Sequence, residues 1–318
     1  MRPSWDELFR GTVDAARVGH VDIVERLLQV NAISVAVTNQ KRGTALQAAA
    51  GGGHLAVVER LLQENADVNA APAGDQGRTA PQAAAEGGHL AMVERLLQEN
   101  ADVNAAPSLS QGRTALQAAV EVAVVDRLLQ EKADVNVAAV WEGRTALQAA
   151  TEGGHLAVVE RLLQENADVN ATPAENQGRT ALQAAAEGGH LVVVERLLHV
   201  AWLGGRTALQ AAARGGHLAV VERLLQENAD VNAAPTGGKT ALQAAAEGGH
   251  LVVVERLLHE KTDVNAACRE GRTALQAAAR GGHLAVVERL LQENVDVNAA
   301  PTMTGGKQHF RQRQGADT

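Results

Sequence analysis

The segment GTALQAAAGGGHLAVVERLLQENADVNAAP, residues 43–72, recurs with few changes along most of the 318-residue chain. Eight copies begin with a threonine, and successive threonines are separated by 35, 35, 31, 35, 27, 33 and 33 residues: Thr44, Thr79, Thr114, Thr145, Thr180, Thr207, Thr240 and Thr273. A further copy at the start of the chain lacks the threonine and is recognised by Gly19 and His20. Self-similarity at this spacing is typical of a repeat array in which each unit packs on its neighbours.

Each repeat unit predicts two helices and a loop. Thr44 precedes a run of strong helix formers, where its hydroxyl can cap free backbone N–H groups, and two glycines before His54 end this first helix. Apolar residues then recur at helical spacing from Leu55 onward, which predicts an amphipathic second helix. Asn65 suits the left-handed position after that helix, and an extended finger loop runs from Asp67 to Pro72.

These residues carry a family resemblance. The text TALQAAAEGGH…VVERLL…ADVNA resembles the ankyrin repeat, with its T-P-L-H-x-A-A-x-x-G-H pattern, second helix and β-hairpin finger. Alanine replaces the proline, glutamine replaces the first histidine, and asparagine replaces the final glycine. The resemblance covers residues 1–298 and implies an all-α ankyrin-type solenoid of about nine helix-turn-helix units with short β-hairpin or extended fingers. Residues 299–318 are polar, and we expect them to form a disordered tail.

Two units depart from the common pattern. In unit four, counted from the copy at His20, the Gly-Gly-His between the helices is missing. Either the two helices fuse or a turn is built from poor turn-forming residues, so we expect a weak joint at residues 114–136. In unit six, residues 199–205 replace the whole finger. Pro81 in unit three is compatible with a helix because it falls in the first turn.

The composition narrows the class of protein. The chain is 46% hydrophobic but only 2% aromatic, so its apolar mass suits many thin layers. The net charge of −8 predicts no nucleic-acid partner, and no apolar run approaches the roughly 20 residues of a membrane helix. A single cysteine, Cys268, and a first segment unlike a signal peptide indicate a cytoplasmic protein, with the nucleus as the alternative.

The sequence predicts no catalytic, cofactor-binding or metal-binding residues. The GGKT segment ending at Thr240 resembles a phosphate-binding loop, but Ala233 stands where that motif needs its first glycine. The repeated histidines occur once in each unit, so we expect a role in the turn rather than shared metal ions. His199 and His259 are isolated, and Cys268 is expected to be a free thiol.

Two rows of charged residues favour binding. The residue before each threonine is basic in seven units: Arg78, Arg113, Arg144, Arg179, Arg206, Lys239 and Arg272. The residue seven places after each threonine forms a second row: Glu86, Glu121, Glu152, Glu187, Arg214, Glu247 and Arg280. The resemblance places both rows on the concave face. Either the rows pair with each other, or they bind a partner. Because arginine replaces glutamate at two positions, Arg206, Arg214, Arg272 and Arg280 are candidates for an acidic partner segment.

Trp141 and Trp202 are further candidates for partner binding. Both lie just before a Gly-Arg-Thr start, in a chain that has only three tryptophans. Tryptophan is enriched at binding hot spots, which favours contact with a partner. The alternative is that each covers an irregular neighbour, namely the altered unit four or the missing finger of unit six.

The predicted function is a non-catalytic protein–protein interaction scaffold that binds its partner through the concave face and the fingers. The near-identity of the copies also resembles fungal ankyrin arrays, including those attached to NTPase-type immune receptors. A ligand-sensing array of such a receptor, or an adaptor or inhibitor subunit of an enzyme, is therefore an alternative. No C-terminal cap is evident, and self-association through the last repeat is a further prediction.

Overall fold

The computed structural model describes residues 5–31, 44–72, 77–106, 112–138, 144–171, 179–199, 205–234, 238–268 and 271–299. These residues contain eighteen α-helices and no strand. The first helices of the nine units are α1 (Trp5–Val18), α3 (Ala45–Gly51), α5 (Ala80–Glu86), α7 (Ala115–Ala118), α9 (Ala146–Glu152), α11 (Ala181–Glu187), α13 (Gly205–Gly215), α15 (Ala241–Gly248) and α17 (Ala274–Gly281).

The second helices alternate with the first. They are α2 (Val21–Asn31), α4 (Leu55–Gln63), α6 (Leu90–Gln98), α8 (Val122–Gln130), α10 (Leu156–Gln164), α12 (Leu191–Leu198), α14 (Leu218–Gln226), α16 (Leu251–Leu258) and α18 (Leu284–Leu291). Nine helix pairs confirm the predicted all-α ankyrin-type solenoid.

The chain divides into two compact bodies. The N-terminal body ends at Thr180 and contains α1–α10, and the C-terminal body begins at Ala181 and contains α11–α18. Within each body the first helix of a unit packs on the first helix of the next, and most second helices do the same. The core is therefore a series of thin layers, as the composition indicates.

The layers are built from alanine on the first helices and from valine and leucine on the second. Ala49 and Ala50 are fully buried, and their small side chains let neighbouring first helices approach closely. Val57, Val58 and Leu61 of α4 are also fully buried, whereas Glu59 on the same helix is exposed. The amphipathic second helix predicted from the spacing is therefore confirmed.

The repeated threonine and glutamine form a reciprocal cap at the start of the first helix. In unit two, Thr44 Oγ1 accepts from Gln47 N at 3.1 Å, and Thr44 N donates to Gln47 Oε1 at 2.8 Å. Gln47 Nε2 also donates to the carbonyl oxygens of Ala70 and Ala71 at 3.0 Å. The same two-way cap forms at Thr79, Thr114, Thr145, Thr240 and Thr273. The glutamine thus joins the helix to its own finger.

Replacing Thr240 by alanine is expected to lower the free energy of unfolding by about 1 kcal/mol, because the substitution removes one cap acceptor at a buried helix start. Urea denaturation followed by circular dichroism measures the change. Thr207→Ala is the control, since Thr207 lies inside α13 and begins no helix. Equal losses in the two variants would contradict a capping role for Thr240.

Unit seven departs from the expected cap. We expected Thr207 to precede its helix, but α13 begins at Gly205, so this prediction is wrong. In the units with a threonine cap the threonine itself is extended, as at Thr44, where ψ is 162°. Only residues 199–204 lie between the end of α12 and the start of α13, and the predicted loss of the finger falls largely outside the described residues.

Unit four keeps two separate helices. Its first helix, α7, is only four residues long, and Ala119 and Glu121 are extended, with ψ angles of 123° and 129°. The turn is thus remade from residues with little turn preference, which is the second of the two predicted outcomes. Val120 in this turn is exposed. Pro81, as predicted, lies in the first turn of α5.

Candidate protein-binding site

The two charged rows pair with each other within several units. Arg78 Nε lies 2.8 Å from Glu86, and Arg144 Nη1 lies 2.5 Å from Glu152. In unit eight, Lys239 Nζ lies 2.5 Å from Glu247. These side chains are between 32% and 55% exposed, so each pair contributes little to stability. The pairing interpretation is correct for these three units.

Units seven and nine carry arginine where the paired units carry glutamate. Arg214 and Arg280 are both exposed. Glu247 in unit eight lies between them in the repeat order. Its pKa is lowered mainly by the hydrogen bond from Lys239; burial opposes this lowering, and the charges of Lys239, Arg214 and Arg272 add to it. Two neighbouring units therefore add positive charge around this one carboxylate.

We name Arg214, Lys239, Arg272 and Arg280 the basic cluster. Three of these cations, Arg214, Lys239 and Arg272, act on Glu247, and Arg280 belongs to the next unit. The four cations and the one carboxylate together carry three positive charges in excess. The backbone keeps these positions in register, since His250 Nε2 lies 2.8 Å from the Arg214 carbonyl oxygen and His283 Nε2 lies 2.9 Å from that of Glu247. Clustered positive charge of this kind raises the local electrostatic potential, which in general favours negatively charged groups.

Histidines connect successive units along this face. Each hydrogen bond joins the histidine Nε2 of one unit to a backbone carbonyl oxygen of the preceding unit. That carbonyl belongs to the residue seven places after the threonine position. The four pairs are His54 with Arg17, His217 with Glu187, His250 with Arg214 and His283 with Glu247. Because a carbonyl only accepts, the Nε2 donates. We call this set the histidine ladder. It gives the repeated histidine a role in joining these four pairs of units.

The glycine directly before each histidine leaves room for the histidine ring of the next unit. Gly216 has φ of +75°, and a methyl group in place of its hydrogen would lie 2.5 Å from His250 Nδ1. Gly53 stands in the same relation to His89, and Gly189 to His217. Only glycine combines this left-handed backbone with so close an approach.

Unit four breaks both the ladder and the glutamate row. A methyl group on Gly88 would lie 2.9 Å from Glu121 Cγ, so Glu121 occupies the place of the missing histidine. Counting along the sequence placed Glu121 in the row with Glu86 and Glu152, and that placement is wrong. The reason is that the shortened α7 brings this residue to the start of α8.

Asparagines connect the fingers in the same repeating way. Asn69 Nδ2 donates to the Asn100 carbonyl oxygen at 3.1 Å, and Asn69 Oδ1 accepts from Asp102 N at 2.7 Å. The same double contact is made by Asn104, Asn136, Asn232 and Asn265. The finger ends beside the basic cluster are thus held in a regular order.

The structure brings only some of the predicted site residues together. It brings Arg214 and Arg272 together around Glu247, with Arg280 in the neighbouring unit. Arg206 lies in α13, but its side chain is outside the described residues. Trp141 and Trp202 are also outside the described residues, so their roles stay predictions. Sequence reasoning missed Lys239 as a member of the cluster, although its row contained it.

The structure also shows the contacts of the other residues that the sequence singled out. Lys239 of the GGKT segment pairs with Glu247, and Thr240 caps α15. Cys268 is half-buried, and its backbone N–H donates to the Arg272 carbonyl oxygen at 3.0 Å. The described part of the chain contains no group of three or more His, Cys, Asp or Glu residues placed to hold a metal ion.

A family model for ankyrin repeats in groups of three copies matches five overlapping segments: residues 13–107, 72–139, 105–173, 172–235 and 232–300. The chain belongs to the ankyrin repeat family. Ankyrin repeats are generally protein–protein interaction modules and are typically non-catalytic. No curated protein matches this ankyrin repeat chain. None of the helices that the structure describes has both the length and the apolar character needed to cross a membrane.

Proposed function

We propose that this ankyrin repeat protein is a non-catalytic scaffold that binds an acidic segment of a partner protein at the basic cluster. One observation carries the proposal: arginine replaces glutamate at Arg214 and Arg280, while unit eight between them keeps Glu247. The two replacements turn a row of internal pairs into a surface with excess positive charge. Exposed arginines bind carboxylates through paired hydrogen bonds, which suits a Glu- or Asp-rich segment.

The finger ends extend the proposed site. Arg272 lies where the finger of unit eight leads into α17, and its carbonyl oxygen accepts from Gln243 Nε2 at 3.1 Å. Lys239 occupies the same place before α15. A partner segment lying across the first helices would therefore meet the arginines of α13 and α17 and the cations at two finger ends. A sensing array of a receptor and an adaptor or inhibitor subunit would both use such a surface.

The double substitution Arg214→Glu with Arg280→Glu is expected to weaken binding of a fluorescein-labelled peptide rich in Asp and Glu by about tenfold or more. The variant should fold, because units three, five, six and eight carry glutamate at the same position. Fluorescence anisotropy at low and moderate salt measures the affinity. The wild-type affinity should fall as salt rises, since the contacts are exposed.

A matched control separates the site from the overall charge. Arg95→Glu with Arg127→Glu changes the net charge by the same amount but lies on second helices, where each arginine pairs with a glutamate four residues later. Its affinity for the peptide should stay within about twofold of wild type. Equal weakening in both variants would show only a long-range charge effect, and an unchanged affinity in the first would overturn the proposed site.

A further inference from the structure

Four pairs of successive second helices share an ionic contact of fixed direction. The arginine of one unit reaches back to the acidic residue of the unit before it, as in Arg60 with Glu25 at 3.4 Å and Arg161 with Asp126 at 2.5 Å. The pair Arg223 and Glu195 repeats the contact in the C-terminal body. Together with the histidine ladder and the buried apolar residues, this contact defines what the two faces of a unit must offer.

The outward face of unit nine offers one half of that joint. Leu284 is 67% exposed and Leu291 is 49% exposed, while their equivalents in unit eight are only half-exposed or less. Glu288 is exposed at the position that accepts an arginine. A methyl group on Gly282 would meet nothing within 4 Å. At Gly216 and Gly249 the same space holds the histidine ring of the next unit, so no described residue fills it at Gly282.

The outward face of unit one offers the other half. Ile23 is 48% exposed, whereas Val57 at the same position of unit two is fully buried. Arg26 and His20 are both exposed, and they occupy the positions of the reaching arginine and the ladder histidine. The structure gives neither side chain an ionic or hydrogen-bond partner among the residues that it describes.

We propose that copies of this chain associate head to tail, with unit one of one copy docked on unit nine of the next. Arg26 of one copy then pairs with Glu288 of the other, and His20 Nε2 donates to the Arg280 carbonyl oxygen above Gly282. The exposed leucines of unit nine become buried against Ile23 and its neighbours. Because the two faces differ, the contact is heterologous and produces open chains or closed rings rather than a symmetric dimer.

Charge reversal tests both the contact and its direction. Sedimentation velocity of the wild-type chain across a concentration series should show species that grow beyond a dimer. Arg26→Glu alone and Glu288→Arg alone should each weaken association about tenfold, because each places like charges at the joint. An equimolar mixture of the two variants should associate like wild type, since every joint between unlike copies is again complementary. Both residues are exposed, so circular dichroism should show unchanged folding.

The alternatives give different results. A wild-type chain that stays monomeric at about 100 µM, including one whose own residues 300–318 cover unit nine, overturns the proposal; that concentration lies far above the Kd of a stable protein contact. A dimer that is insensitive to Arg26→Glu indicates that two copies of unit nine meet face to face, which also overturns it. Failure of the mixed variants to associate, while each weakens alone, would exclude the ionic pair as the basis of direction.

Discussion

Gly216→Ala is expected to lower the free energy of unfolding of the C-terminal body by about 3 kcal/mol, whereas Gly282→Ala lowers it by about 1 kcal/mol. Both glycines have nearly the same left-handed backbone, with φ of +75° and +73°. They differ in what a methyl group would meet: His250 at 2.5 Å in the first case and nothing within 4 Å in the second. The backbone strain is therefore common to both variants.

The additional loss at Gly216 comes from the displaced ring. His250 would have to move away from the new methyl group, and its hydrogen bond to the Arg214 carbonyl oxygen, 2.8 Å long, would be broken. A lost hydrogen bond costs about 1 kcal/mol, and the disturbed stacking adds a comparable amount. Gly216→Ala combined with His250→Ala removes the collision, so the pair should show a coupling energy of about 1 kcal/mol or more.

Urea denaturation of the full chain, followed by circular dichroism, measures the free energy of unfolding of wild type, Gly216→Ala, His250→Ala, the double variant and Gly282→Ala. Gly282→Ala is the matched control, because it introduces the same residue at the same position of a unit. If Gly216→Ala and Gly282→Ala are equally destabilising, the histidine ladder adds nothing beyond the backbone requirement for glycine. That result would contradict the role assigned here to the repeated histidine.

Local signals in the sequence predicted the units well. Helix pairs follow from apolar spacing, and Asn65 adopts the left-handed conformation expected after a second helix, with φ of 60°. Lys132 adopts the same conformation in unit four, although its side chain gives no such signal. The reciprocal cap was also present in the sequence as Thr-x-x-Gln, but glutamine was interpreted only as a replacement for histidine. Short-range hydrogen bonds of this kind depend on neighbouring residues alone.

Contacts between units were harder to predict, because one repeat does not show which of its residues faces the next. The histidine ladder and the asparagine contacts each span about thirty residues of sequence, as in Asn69 with Asp102. For the candidate site, the sequence identified the two charged rows but left pairing and partner binding open. The geometry at Glu247 shows pairing with Lys239 beside the charges of Arg214 and Arg272, and binding of a partner stays a proposal.

Amides of residues 114–130 are expected to exchange with solvent about thirtyfold faster than those of the equivalent helices in units three and five. This ratio corresponds to about 2 kcal/mol less free energy for local opening. α7 has four residues where α5 and α9 each have seven, and Val120 remains exposed in the turn. Glu121 fills the place of a ladder histidine over Gly88 without supplying a ring. Native-state hydrogen exchange by mass spectrometry measures the difference.

Restoring the common sequence should remove this weak joint. Thr114 and Arg127 are thirteen residues apart, whereas Thr79 and Arg95 are sixteen apart. Replacing residues 120–121 by Ala-Glu-Gly-Gly-His therefore adds the three missing residues, lengthens α7 by a turn and supplies a histidine to Gly88. Ala-Glu-Ala-Ala-Ala at the same place has the same length but no residue suited to the left-handed turn, so it should not restore protection. Uniform protection of units three to five in the wild-type chain would contradict the weak joint. Equal protection in the two lengthened variants would assign the defect to chain length rather than to the lost Gly-Gly-His.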